Sequence, residues 1–262
     1  MTHSSHTSVL PMLSIQPGRL LSASRAQPAQ KTKSVPRHLA LVLDGRDHDD
    51  PTGPVRALHE TICGCIEEGI ECLSLLIPAR HQSRNAVLPM LCAHIARDAQ
   101  TLATHGVRIS LLNSGKDSGS ALNGHKIYVD ELRAALVVAS SAKVAQPERL
   151  RINLGVAYSG RTDLAHAVRR IAYAISKGEL KPGELCIERL SQELHSSGLP
   201  VVDFLVRTGG ETRLSDFLLF HTAYAELLFL DVPWAEFRQA HLKDALADFG
   251  RRSRTFGGLP KR

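Results

Sequence analysis

Residues 201–233 hold the chain's densest set of groups able to grip an anion: Arg207, Arg213 and Ser215, with Gly209 and Gly210 between the two arginines. Two guanidiniums six residues apart, with a hydroxyl beside them, suit a diphosphate better than a single carboxylate, because each planar fork can bind two oxygens. The glycine pair supplies a turn that can aim backbone N–H groups outward. The segment opening at Glu211, with Leu214, Phe217 and Leu218, is expected to begin a helix whose positive end faces the same crevice. Glu226 stands at the entrance of the apolar run LLFLDVP. A carboxylate buried there unpaired would be costly, so it needs a cation, and an arginine or a bound Mg²⁺ would each serve.

Another acid with a site-like position is Asp44, which with Gly45 ends the apolar run HLALVL. Such a run suits a strand buried on both faces of a parallel sheet, and the carboxyl end of that strand is where α/β folds bind ligands. Strands are expected at residues 38–43, 72–77, 107–112 and 150–158, with two more in the stretch described first. Helices are expected over 55–68, 85–105, 125–143, 161–177 and 235–252, with a loosely helical connection over 178–200. Strand and helix alternate, which predicts a single α/β domain with a mostly parallel, six-stranded sheet and right-handed crossovers. His38 is expected at the surface, Tyr158 in the core, and Asp163 as a cap of the helix that starts near Arg161.

Four blocks stand in the order found in one known family. They are RTGGETRLSDFLLFHTAYAELLFLDVPWAEF from residue 207, RINLGVAYSGRTDLAHAVRRIA over 151–172, HLALVLDG over 38–45 and FGG over 256–258. Over roughly residues 37–258 the chain resembles the cis-prenyltransferases, the undecaprenyl diphosphate synthase family. The resemblance implies condensation of an allylic prenyl diphosphate with isopentenyl diphosphate, assisted by Mg²⁺, to give a cis-prenyl diphosphate. It implies Asp44 as the catalytic, metal-positioning carboxylate and Glu226 as the second metal ligand. Arg207, Arg213 and Ser215 would hold the isopentenyl diphosphate, and Gly45, Arg46, Arg56, His59 and Arg84 would serve as further diphosphate contacts. It further implies a homodimer, with its contact around residues 217–233 and the last helix.

The departures cluster at the allylic side. After Gly45 the family has a neutral and basic cradle; here stand Arg46, Asp47, His48, Asp49 and Asp50. Either these acids gather Mg²⁺ with Asp44, or they form a solvated turn that caps the next helix. Residues 78–84 replace the family's second loop, with Arg80 and Arg84 as its positive charges, Thr212 replaces a histidine, and Thr255 stands where an arginine is usual, with Arg254 one residue early. Irregular prenyl coupling, terpene cyclisation or diphosphate ionisation, and a weakly catalytic partner subunit therefore stand as alternatives.

Composition narrows the field. The 262 residues suffice for one large domain. The net charge is +6, of which four positives (Arg19, Arg25, Lys31, Lys33) lie in residues 1–36, a Ser-, Gln- and Pro-rich segment expected to be disordered. With aromatic residues at 5% and no basic stripe on a folded element, a nucleic-acid role is not expected, whereas an anionic substrate or membrane surface fits. The five cysteines are scattered and odd in number, which suits small core residues in a reducing, cytoplasmic setting.

Overall fold

The computed structural model describes residues 34–45, 50, 52–77, 87–112, 126–141 and 147–254. Most of the expected disordered tail, Arg46 with the next three residues of its loop, Arg80, Arg84 and the closing residues from Thr255 lie outside them.

Six strands form one parallel sheet: β1 (His38–Val42), β2 (Cys72–Ile77), β3 (Val107–Leu112), β4 (Leu150–Val156), β5 (Phe204–Arg207) and β6 (Glu226–Phe229). Their spatial order is β3-β4-β2-β1-β5-β6. β1 is buried along its whole length because alternate side chains serve two cores. Leu39 and Leu41 join one cluster, Ala40 and Val42 the other. The first cluster takes the apolar faces of α1 (Gly53–Glu68), α2 (Val87–Thr104), α3 (Lys126–Ser140) and the last helix, α6 (Gln239–Arg251). The second contains Tyr158, Val202, Phe217 and Leu218; between β4 and β5 the chain forms α4 (Gly160–Ser176) and the short α5 (Ile187–Gln192).

The connections explain where a ligand can enter. From β1 the chain crosses toward β2, whereas from β5 it crosses the other way toward β6. The two strands are neighbours, so their outgoing loops diverge and leave a crevice at their carboxyl ends.

Three local expectations are overturned. No helix follows the Gly-Gly turn: residues 211–225 run through bends and turns. Leu218 takes a positive φ of 48° there, while Phe217 and Leu218 are fully buried, so the segment folds down onto the sheet as an irregular loop. His38 is buried, not exposed, because its ring meets the Pro200 carbonyl at 2.9 Å and Ser74 Oγ at 2.8 Å. Ser159, rather than Asp163, caps α4 by accepting the Thr162 N–H. Asp163 instead lies buried and accepts the Tyr158 hydroxyl at 2.8 Å and the Ser196 hydroxyl at 2.9 Å. Tyr158 is core as expected, and so are Cys63, Cys65, Cys72 and Cys92, whereas Cys186 is exposed.

Candidate diphosphate site

Asp44 lies two residues past β1, and Arg207 is the last residue of β5, so the switch in crossover direction brings them face to face. Arg207 Nη2 donates to Asp44 Oδ2 at 2.7 Å, with both side chains less than a tenth exposed. Asp44 Oδ1 accepts the Gly45 N–H at 3.0 Å. Thr208 ties the two strand ends together: its Oγ1 accepts the Asp44 N–H at 3.0 Å and donates to the Asp44 carbonyl at 2.7 Å. Gly209 completes the joint with φ +86° and almost no room, since a Cβ there would lie 2.7 Å from the Asp44 carbonyl carbon and the Gly45 nitrogen.

The same loop leaves donors unused. Arg207 Nη1 donates to the Arg213 carbonyl, which curls the loop back over the guanidinium. Arg207 Nε and Ser215 Oγ are occluded from solvent and have no hydrogen-bond partner among the described residues. Buried polar groups are usually satisfied, so the end of β5 and the loop after it each offer a donor that a ligand could complete. Arg213 extends the positive charge outward, with 79% of its side chain exposed, and is held meanwhile by Glu211 Oε2 at 3.1 and 2.5 Å. Those bonds hold the Glu211 carboxyl below its usual range.

Arg56 and His59 lie on α1, which starts at the same end of the sheet. Arg56 Nη2 donates to Thr52 Oγ1 at 3.2 Å, and its Nη1 stands 3.9 Å from Asp50 Oδ2. His59 sits one turn farther along, with its ring against Cys63 Sγ at 3.9 Å. Asp50 accepts both the N–H and the hydroxyl of Thr52, at 2.8 and 2.7 Å, which closes a turn just before α1 without capping the helix's own donors. Those bonds lower its pKa, with a smaller contribution from Arg56.

Glu226 is not part of this constellation. As the first residue of β6 it pairs with Phe204, which pairs with Leu39, so it lies at the amino edge of the sheet. That is five strand residues below Asp44, roughly 16 Å along the sheet. Its carboxylate meets an arginine there: Arg252 Nη1 lies 3.1 Å from its Oε2. Arg254 is likewise engaged at that edge, 2.6 Å from Asp203 Oδ1, and does not reach the diphosphate loop. Sequence reasoning missed Thr208, which stands inside the motif but reveals its role only through a strand 164 residues away.

A family model described as "Putative undecaprenyl diphosphate synthase" matches residues 52–257. Among curated proteins, the chain is 32% identical over 240 residues to a ditrans,polycis-undecaprenyl-diphosphate synthase ((2E,6E)-farnesyl-diphosphate specific) of Xylella fastidiosa, covering 86% of this chain and 90% of that one. A synthase of the same description from Pseudomonas aeruginosa is 32% identical over 249 residues, covering 87% and 93%. Among solved structures, lavandulyl diphosphate synthase from Lavandula x intermedia, in complex with dimethylallyl diphosphate, superposes with a TM-score of 0.70 at 26% identity over 85% of this chain and 98% of that one. A Campylobacter jejuni chain shares the fold with a TM-score of 0.65 at 23% identity, covering 86% and 99%.

Proposed function

The chain belongs to the undecaprenyl diphosphate synthase family of cis-prenyltransferases, and from that premise we propose that it condenses an allylic prenyl diphosphate with isopentenyl diphosphate to a cis-prenyl diphosphate. The observation that carries the proposal is the joint at the β1/β5 crevice: a carboxylate clasped by an arginine whose Nε, with the nearby Ser215 hydroxyl, is buried and unsatisfied.

The isopentenyl diphosphate takes Arg207 Nε, Ser215 Oγ and the Arg213 guanidinium, the last exchanging its Glu211 partner for phosphate oxygens. Arg56, at the start of α1, faces the allylic diphosphate from the other side of the crevice. The new carbon–carbon bond forms at allylic C1 as the bond from C1 to the diphosphate oxygen breaks, and a proton leaves C2 of the isopentenyl unit. Asp44 lies at the crevice to accept that proton, and its hydrogen bonds from Arg207 and the Gly45 N–H fix the orientation of the carboxylate. A cavity of about 450 Å³ lies between β3, α2 and α3, lined by Ala99, Ala103, Val107, Ile109, Leu136 and Ala139 together with Arg108, Ser110 and Glu148; in this reading its apolar wall receives the hydrocarbon.

Among the described residues no three His, Cys, Asp or Glu side chains gather as a metal cage. One carboxylate at a diphosphate crevice nevertheless fits Mg²⁺, which commonly binds through one or two carboxylates together with substrate phosphates. Asp44 would hold it, and when bound it neutralises the charge that builds on the departing diphosphate. The proposal extends to a cytoplasmic homodimer working near an anionic membrane surface. Supporting this are the net charge of +6 and the edge strand β6, preceded by Tyr224 at 67% exposure. No described helix is long and apolar enough to cross a membrane. Phe217 and Leu218, placed by sequence in the dimer contact, are spent in the chain's own core.

Diphosphate release from farnesyl plus isopentenyl diphosphate tests the assignment. Asp44→Asn is expected to lower kcat by about a hundredfold or more, and chelation of divalent cations to stop turnover. Turnover within twofold of wild type in that variant would remove Asp44 from the mechanism.

A further inference from the structure

The loop bearing Arg213 and Ser215 lacks regular structure, yet it must hold two anion donors in place. The tether that holds it is Asp216. Its Oδ2 accepts the Ser159 hydroxyl at 2.5 Å, its Oδ1 accepts the Arg161 N–H at 3.0 Å, and its carbonyl accepts the Gly160 N–H at 2.8 Å. Ser159 is the N-cap of α4, and its Oγ also accepts the Thr162 N–H at 3.1 Å. Three of the first backbone donors of this 17-residue helix are therefore satisfied by Asp216 and Ser159 acting together. The positive end of α4, which could attract a substrate anion, is filled by the protein's own carboxylate. Contact is close: a Cβ on Gly160 would stand 3.0 Å from the Asp216 carbonyl and 3.1 Å from Leu219.

We infer that Asp216 is a positioning residue for the diphosphate of the isopentenyl substrate, acting by locking the Arg213–Ser215 loop to the N-terminus of α4. This rests on the reading of that loop as the isopentenyl diphosphate site. The consequence is directional. Ser215 is the residue before Asp216, so releasing the clamp loosens Ser215 Oγ first and Arg213 next, while Asp44 and Arg207 keep their own pair at the strand ends. Binding of isopentenyl diphosphate weakens; the allylic side, which rests on β1 and α1, does not.

Steady-state kinetics on the full chain test this, with each substrate varied at saturation of the other. Asp216→Ala is expected to raise KM for isopentenyl diphosphate about tenfold or more, with kcat and the allylic KM within about twofold of wild type. Asp216→Asn keeps an acceptor for the Arg161 N–H and a polar partner for Ser159, and is expected to stay within about threefold of wild type. An unchanged isopentenyl KM in Asp216→Ala overturns the inference. So does a loss shared by kcat and both KM values that Asn does not rescue, which would mark a purely structural role. If Asp216→Ala does not fold, Ser159→Ala carries the same expectation at smaller size, and an unchanged isopentenyl KM there overturns it. A wild-type chain without turnover would strike the function reading instead. Calorimetric binding of isopentenyl diphosphate to wild type and Asp216→Asn against Asp216→Ala then decides the clamp, since equal affinities contradict it.

Discussion

At the scale of single residues, Asp44 and Arg207 form a pair that serves folding as well as chemistry. Each is buried, so removing one partner leaves the other's charge uncompensated, at a cost of about 3–5 kcal/mol. Asp44→Ala is therefore expected to lose stability as well as turnover, and Asp44→Asn, which keeps an acceptor for Arg207, to lose mainly turnover. Urea unfolding of both variants beside wild type checks this, and equal midpoints for the two would contradict the pairing. The sequence pointed to both residues because an acid after an apolar strand and an arginine before Gly-Gly are local signals. Nothing local linked Glu226 to Arg252 or Asp216 to Ser159; those pairs join residues 26 and 57 apart and exist only once the chain is folded. The place of Glu226 in the fold was hidden for that reason. Its position at the entrance of a strand was legible, whereas which edge of a parallel sheet that entrance occupies depends on register.

At the scale of elements, the continuous apolar runs made all six strands visible, and the 3.6-residue periodicity made α1 to α4 and α6 visible as well. The segment after Gly210 misled because Leu214, Phe217 and Leu218 have helical spacing, yet Leu214 is exposed and the burial of Phe217 and Leu218 comes from a loop that bends at Leu218. The Gly-Gly turn itself reads correctly from sequence, and the structure adds why Gly209 cannot change. At φ +86° a side chain is strained, and its Cβ would press on the backbone of Asp44 and Gly45, where nothing can swing aside. Gly209→Ala is expected to lower stability by about 2 kcal/mol or more and to displace Asp44. Thermal unfolding and turnover measured together check this, and a variant with wild-type Tm and kcat would contradict the close approach.

At the scale of the whole molecule, a polar chain threads the sheet interior: Ser110 donates to Asn153 Oδ1, Asn153 donates to Ser74, and Ser74 meets His38, whose ring also meets the Pro200 carbonyl. Burial pushes the His38 imidazole down from 6.5 to about 4. The unfolded chain takes up this proton near pH 6.5 and the native one only near 4, so the unfolded state binds more protons between those values. The contribution of neutral His38 is full above pH 6.5 and is lost as pH falls, costing about 2 kcal/mol at pH 5 and about 3 by pH 4. Burial likewise lowers His221 and His195, which act in the same direction. Urea unfolding at pH 7 and pH 5 is expected to show that loss, and a stability unchanged across that interval would contradict the buried neutral histidine. The sheet that holds this network also sets Asp44 against Arg207 at its carboxyl edge, and what that edge does is decided most directly by product analysis. Purified protein is supplied with Mg²⁺ and dimethylallyl, geranyl or farnesyl diphosphate, each with and without isopentenyl diphosphate. A longer cis-prenyl diphosphate that forms only when isopentenyl diphosphate is present is the expected result. A hydrocarbon, alcohol or branched product from the allylic substrate alone, or no product from folded protein, would contradict it.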